Sequence, residues 1–225
     1  MDTATVLINT LGGSHISFER TVTRTLETAV NAGTCFCQFF LGSPKSYGRH
    51  RITDEDYTNL RLSPTLRRFP IGFCTHAPYM MSLTGCGGKL AWKDDLAATC
   101  AIRDRVIPNL ENELADVAKA GGIGVVVHPG SFGPKRKGFQ SSTEGLVGVA
   151  ETINRMTFPE GSCILLENAA GEGSKLPTAM ADFKVILDAV TPTQLPHVGV
   201  CIDTAHLQGV GEIDLSTNQG VDCLF

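Results

Sequence analysis

No apolar run in this sequence approaches the roughly 20 residues that a helix needs to cross a bilayer. The opening residues, Met1-Asp2-Thr3-Ala4-Thr5, lack the basic segment that begins a secretory signal. These absences set the expectation of a cytoplasmic or nuclear protein that is not secreted and meets no membrane. Basic charge is not in surplus: 19 Lys and Arg stand against 23 Asp and Glu, a formal net charge of −4. That balance argues against a general coater of nucleic acid. It leaves room for a nuclease, because carboxylates that hold cations count as negative in the sequence but not in the loaded protein. Cysteines at zinc-ribbon spacing are missing as well. Of the eight, Cys35, Cys37, Cys74, Cys163 and Cys201 fall in predicted strands, where a reduced thiol acts as a small hydrophobe, while Cys86, Cys100 and Cys223 are scattered. There is no low-complexity linker and no sign of a second domain, so residues 1–225 read as one domain.

What is present is an alternation of short apolar runs and helical patterns at roughly 35-residue spacing, the mark of βαβ units and a parallel sheet. The runs at Thr5–Asn9, Cys35–Phe40, Ile71–Thr75, Ile123–Val127, Cys163–Leu166 and His197–Ile202 read as strands, with Gly12–Ser17 extended. The last reads as apolar on both faces and covered on each side. Helical spacing predicts helices over 18–32, 53–66 with Thr53 as N-cap, 92–120 with a bend at Pro108, 142–156, and 176–190 with Pro177 in the first turn. The fold class expected is α/β, a TIM (β/α)8-type barrel that is incomplete, with about six of the eight units such a barrel has.

The strands end alike. Phe73-Cys74-Thr75 runs into His76, Val125-Val126-Val127 into His128, Ile164-Leu165-Leu166 into Glu167, and Gly199-Val200-Cys201-Ile202 into Asp203 with His206 just beyond. Carboxyl ends of strands are where a (β/α) barrel places its chemistry. A single His or Asp after a strand is more often a loop residue or a helix cap. Several in register are harder to dismiss, because caps need no repeated histidine. Imidazole and carboxylate without thiolate suit a divalent metal, zinc above all.

Six segments then carry a resemblance. They are Gly13-Ser14-His15-Ile16-Ser17, Leu41-Gly42-Ser43-Pro44-Lys45-Ser46-Tyr47, Thr75-His76-Ala77-Pro78-Tyr79, His128-Pro129-Gly130-Ser131, Leu165 to Ser174, and Gly199 to His206. Each is weak alone, and together, in this order, they are specific. From about Gly13 onward the chain resembles the endonuclease IV family of apurinic/apyrimidinic endonucleases. The resemblance implies a zinc-dependent barrel of base excision repair that cleaves DNA 5′ to an abasic site, leaving a 3′-hydroxyl and a 5′ deoxyribose phosphate. It implies up to three zinc ions, double-stranded DNA with abasic sites as partner, and a monomer.

The same resemblance implies roles. His76, His128 and Glu167 hold one metal, Glu167 bridges to a second that Asp203 also holds, and His206 belongs to a third. Glu167 and Asp203 are the catalytic carboxylates. His15 stands near the site without being a usual ligand and is expected to meet the DNA, which Lys45 and Tyr79 approach at the lesion. Basic side chains at Lys45, Arg49, Arg51, Lys135, Arg136 and Lys137 are placed to hold phosphates, against the alternative of plain solvated loops. Tyr79 wedges or stacks, or is simply a rim aromatic. Asn168 either orients the ligands or is an ordinary loop residue.

The sequence also departs from the family. Phe18-Glu19-Arg20-Thr21 stands where a Gly-Gly pair is usual, the ligands of the seventh and eighth strands are missing, and no histidine follows His206. The 225-residue chain is therefore expected to be truncated at its C-terminus, to bind fewer zinc ions and to cleave far more slowly than a complete relative. The alternatives are a metal-dependent sugar isomerase or epimerase on the same barrel, or a non-catalytic fragment.

Overall fold

In the computed structural model of the chain, residues 13–85, 96–132 and 141–223 are described, the side chains of 96–102 excepted. The expected strand Thr5–Asn9 and the start of a helix at Trp92 lie outside the described residues. Strand β1 (Gly13–His15) leads to helix α1 (Val22–Asn31), β2 (Phe36–Phe39), α2 (Asp54–Leu62), α3 (Pro64–Arg68) and β3 (Gly72–His76). Then come α4 (Leu96–Lys119), β4 (Val125–Val127), β5 (Gly130–Ser131), α5 (Ser142–Ile153), β6 (Ile164–Glu167), β7 (Lys175–Leu176), α6 (Met180–Ala189), β8 (Val198–Cys201), α7 (Thr204–Val210) and α8 (Asn218–Asp222). Six strands pair in parallel in the order β1-β2-β3-β4-β6-β8, with helices alternating between them. This is an incomplete α/β barrel.

The register decides which side chains share a face. His15 pairs with Gln38, Gln38 with Cys74, His76 with Val126, Val126 with Leu165, and Glu167 with Cys201. Because side chains alternate along a strand, these residues all point to one face of the sheet. The opposite face carries Cys37, Phe39, Phe73, Val125, Val127, Ile164 and Leu166. They join one core cluster with Leu26 of α1, Leu110 and Leu114 of α4, Val149 of α5 and Ile186 of α6. Each such fully buried side chain contributes about 1.5–3 kcal/mol, so the helix-covered face holds the sheet together and frees the other for polar chemistry.

Three expected helices change their boundaries, each for a tertiary reason. The helix expected from Phe18 begins at Val22, after Arg20 at φ 72° and an extended Thr21 whose side chain caps Arg24 N–H at 3.2 Å. Buried Asp56 of α2 also accepts from Val22 N–H at 2.7 Å and Thr23 N–H at 3.1 Å, so a remote carboxylate caps α1. The helix expected over 53–66 breaks at Ser63, which precedes Pro64 and leaves the helical region at φ −55°, ψ 118°. Thr53 caps α2 as expected, accepting from Asp56 N–H at 3.1 Å. The helix expected from Leu176 starts at Met180, because Leu176 pairs antiparallel with Gly130 in a two-stranded sheet that periodicity does not reveal. Strand β8 is also less covered than its apolar run suggests. Val200 is 37% exposed, because among the described residues β8 is an end strand with no neighbour beyond it.

Helix α4 brings a carboxyl group into the core. Glu113 is 1% exposed and accepts a 2.7 Å hydrogen bond from the Thr75 hydroxyl of β3. Burial pushes its carboxyl up to about 7 from an ordinary value of 4.5. The folded state therefore binds a proton that the unfolded chain has released, and stability falls as pH rises through that window. The wild-type chain should lose on the order of 1 kcal/mol per pH unit across it, and Glu113→Gln should flatten the slope. Urea unfolding midpoints at about pH 5 and about pH 8 measure this, and an equally steep slope in the variant contradicts it.

Candidate metal centre

His76 is the last residue of β3 and Glu167 the last of β6. His128 follows the end of β4, and Asp203 follows β8 as the N-cap of α7, with His206 in its first turn. Their side chains meet. His76 Nε2 lies 3.0 Å and His128 Nε2 3.6 Å from Glu167 Oε2, and His206 Nδ1 lies 3.8 Å from Glu167 Oε1. Ligand atoms of His76, His128 and Glu167 all fall within 4.8 Å of one another, as do those of Glu167, Asp203 and His206. The arrangement differs from the expected division in one respect: His206 stands with Glu167 and Asp203 in a second group rather than apart.

Backbone acceptors set the imidazole tautomers. His76 Nδ1 lies 2.7 Å from the Ala77 carbonyl and His206 Nδ1 2.7 Å from the Asn168 carbonyl. A carbonyl only accepts, so each Nδ1 carries the proton, and in the neutral ring Nε2 is left as a lone pair. The His76 lone pair then faces a carboxylate oxygen at 3.0 Å. Two acceptors at that distance repel unless a proton or a cation lies between them. His76 and Glu167 are 4% and 7% exposed, so water does little to relieve the repulsion.

Around this core, burial above all holds the His128 imidazole below its ordinary pKa, with Glu167 opposing and the charges of His76, His206 and Lys175 reinforcing. His15 is also lowered, chiefly by burial and then by His76. It belongs to neither ligand group. Its Nδ1 accepts from the Gln38 amide at 3.3 Å, and its ring lies 5.3 Å from that of Phe40, which itself packs 4.7 Å from His76. Burial lifts the Cys74 thiol to about 12 and the Cys201 thiol to about 11, and neither belongs to a ligand group among the described residues. The donor set is therefore nitrogen and oxygen.

Asn168 is bound to the Asp203 backbone. It is fully buried, donates through Nδ2 to the Asp203 carbonyl at 3.0 Å, and accepts the Asp203 N–H at 2.7 Å. Asp203 Oδ1 in turn accepts the His206 N–H at 3.0 Å, so the helix-cap role and membership of the site coexist in one carboxylate.

Tyr79 is 57% exposed, with its ring 5.6 Å from His76 and 5.5 Å from His128 at the rim. Its N–H donates to the Pro44 carbonyl at 2.9 Å, which ties it to the loop bearing exposed Lys45. Lys135, Arg136 and Lys137 lie outside the described residues. Arg49 is not available to a phosphate: its guanidinium is paired with Asp116 of α4 and is 13% exposed, so it pins the loop instead. Arg51 remains exposed. Sequence reasoning did not single out Lys175, which pairs with Ser131 in the two-stranded sheet that joins the loops after His128 and Glu167. The quoted motif stops one residue short of it, at Ser174.

Residues 26–220 match the family model described as a xylose isomerase-like TIM barrel. A probable endonuclease 4 of Natranaerobius thermophilus is 30% identical over 213 residues, 93% of this chain and 67% of that protein.

The chain belongs to the endonuclease IV family.

A probable endonuclease 4 of Aquifex aeolicus is 27% identical over 215 residues, 94% of this chain and 68% of its own length. The crystal structure of endonuclease IV from Thermus thermophilus superposes with a TM-score of 0.64 at 21% identity, covering 88% of this chain and 64% of that one. A D-tagatose 3-epimerase-like protein superposes at 0.59 with 16% identity, covering 86% and 65%. At such identities the likeness to the solved structures shows the fold alone. The chain spans about two thirds of the length of these relatives.

Asn168→Ala removes both hydrogen bonds to the Asp203 backbone while leaving the His76, His128 and Glu167 group untouched. It should weaken a divalent ion at Asp203 and His206 by about 10–100-fold and spare the other group. A metal titration against a competing chelator reads the two affinities. Equal weakening at both groups, or at neither, contradicts the assignment.

Proposed function

We propose that this protein is a zinc-dependent endonuclease that cleaves DNA 5′ to apurinic/apyrimidinic sites. The observation that carries the reading is a pair of ligand groups sharing the Glu167 carboxylate, in a chain of the endonuclease IV family. The donor chemistry fits the metal. His76 and His128 offer imidazole nitrogen and Glu167 and Asp203 offer carboxylate oxygen, while the facing lone pairs of His76 Nε2 and Glu167 Oε2 need a positive charge between them. When bound there, divalent ions supply electrophilic stabilisation of phosphate oxygens and acidify water near neutral pH.

The protein's own residues do the rest. The Ala77 and Asn168 carbonyls keep His76 and His206 in the tautomer that presents Nε2. Glu167 would be shared by the two groups, its carboxylate standing beside His76, His128 and His206. Asp203 is the more open carboxylate, its side chain 34% exposed, and we assign to its Oδ2 the role of accepting a proton from water. Tyr79 at the rim stacks on or wedges into the duplex, and Lys45 on the adjoining loop meets a phosphate. His15 and Phe40 back the His76 ring and keep it in place. The preferred substrate is a double-stranded DNA with an abasic site.

The test is a nicking assay on an abasic duplex with the purified chain, alongside elemental analysis. Up to two zinc ions per chain are expected from the two ligand groups, with cleavage leaving a 3′-hydroxyl. His76→Ala and Glu167→Gln should each lower the cleavage rate by about a thousandfold or more, since metal catalysis supplies at least several kcal/mol. A panel of ketoses is run in parallel. Epimerisation of a ketose without nicking would assign the chain to sugar chemistry on the same barrel.

A further inference from the structure

The antiparallel pair β5–β7 joins the loop that follows His128 to the loop that follows Glu167, and it carries a cation belonging to neither ligand group. Ser131 pairs with Lys175 and Gly130 with Leu176, and Phe132 N–H donates to the Ser174 carbonyl at 3.0 Å. Backbone hydrogen bonds therefore set where Lys175 starts out relative to His128. The hairpin thereby places the Lys175–Glu172 ion pair where the loops leaving His128 and Glu167 are joined.

The pair is also easily parted. The Lys175 and Glu172 side chains are 55% and 65% exposed, and an ion pair in water contributes little. A groove of about 460 Å³ opens beside Lys175, with Ser142 and Thr178 among its walls, which leaves the ammonium room to turn. Like charge repels: an ammonium fixed beside divalent cations is favourable only when an anion lies between them. A phosphodiester brings such an anion. Lysine suits it as a point charge that needs no fixed approach angle.

We propose that Lys175 holds a backbone phosphate of the bound DNA, and that Glu172 is the anion it releases to do so. This rests on the nuclease reading of the site. Lys175 is a positioning residue: it places the strand against the metal centre and takes no part in bond breaking.

The experiment measures binding of the zinc-loaded full chain to a duplex with an abasic site and a hydrolysis-resistant linkage 5′ to it, across a range of salt concentrations. Lys175→Gln should weaken binding about five- to tenfold at low salt. It should also make the slope of log affinity against log salt shallower by about 1, the loss of one phosphate contact. Lys175→Arg should restore both, and Glu172→Gln should tighten binding about two- to threefold by removing the competing anion. A purely structural role for Lys175 would leave the salt slope unchanged. If the unaltered chain binds the abasic duplex no better than an intact one, the nuclease reading fails and this proposal fails with it. If it binds selectively and Lys175→Gln keeps the wild-type affinity and slope, only this proposal is overturned.

Discussion

A carboxylate with little access to water, faced by imidazoles, is the constraint on which the rest depends. Glu167 is 7% exposed, and His76, His128 and His206 approach it at 3.0, 3.6 and 3.8 Å. Burying an anion there is costly unless positive charge accompanies it. His128 does not supply that charge freely, because burial disfavours its protonated form. A divalent cation is the simplest answer, and the backbone is arranged as though for one: two of the rings give their Nδ1 proton to carbonyls and keep Nε2 lone pairs.

Holding five side chains from the ends of four strands to such tolerances needs more than a sheet. The parallel strands set the heights of His76, His128 and Glu167, since their shared face follows from the pairing of His76 with Val126 and Val126 with Leu165. The loops beyond the strands are then tied to one another. Asn168 clamps the Asp203 backbone, Pro44 holds Tyr79, Arg49 pins its own loop to Asp116, and β5–β7 joins the loops after His128 and Glu167. Each tie satisfies polar groups that would otherwise compete for the metal ligands or for water. The same principle operates away from the site, where Asp56 of α2 caps α1.

The sheet is weaker at its ends. Among the described residues β1 and β8 are the outermost strands, and Val200 of β8 is 37% exposed. An open strand edge presents unpaired donors and acceptors and is weaker than the interior of a sheet. The second ligand group rests on this weaker side: Asp203 and His206 follow β8. Their position depends on the Asn168 clamp to β6 as much as on the strand itself. The first group, on β3, β4 and β6, lies in the interior of the sheet.

By itself the sequence determined the βα rhythm, the barrel class and the metal-competent residues at the strand ends. These are legible because alternation, helical spacing and residue type are local properties, read over a few residues at a time. His76, His128, Glu167, Asp203 and His206 could all be named from their place after apolar runs. Only the tertiary structure decided how they divide into groups, which ring nitrogen is free, that Asn168 orients Asp203, that Arg49 is already paired with Asp116, and that Lys175 pairs with Ser131. Those outcomes hang on partners far apart in the chain, 91 residues between His76 and Glu167, 35 between Asn168 and Asp203 and 67 between Arg49 and Asp116. The helix starts at Val22 and Met180 shifted for the same reason: a capping Asp56 and a strand partner at Gly130 arrive from elsewhere in the chain, and no local pattern announces them.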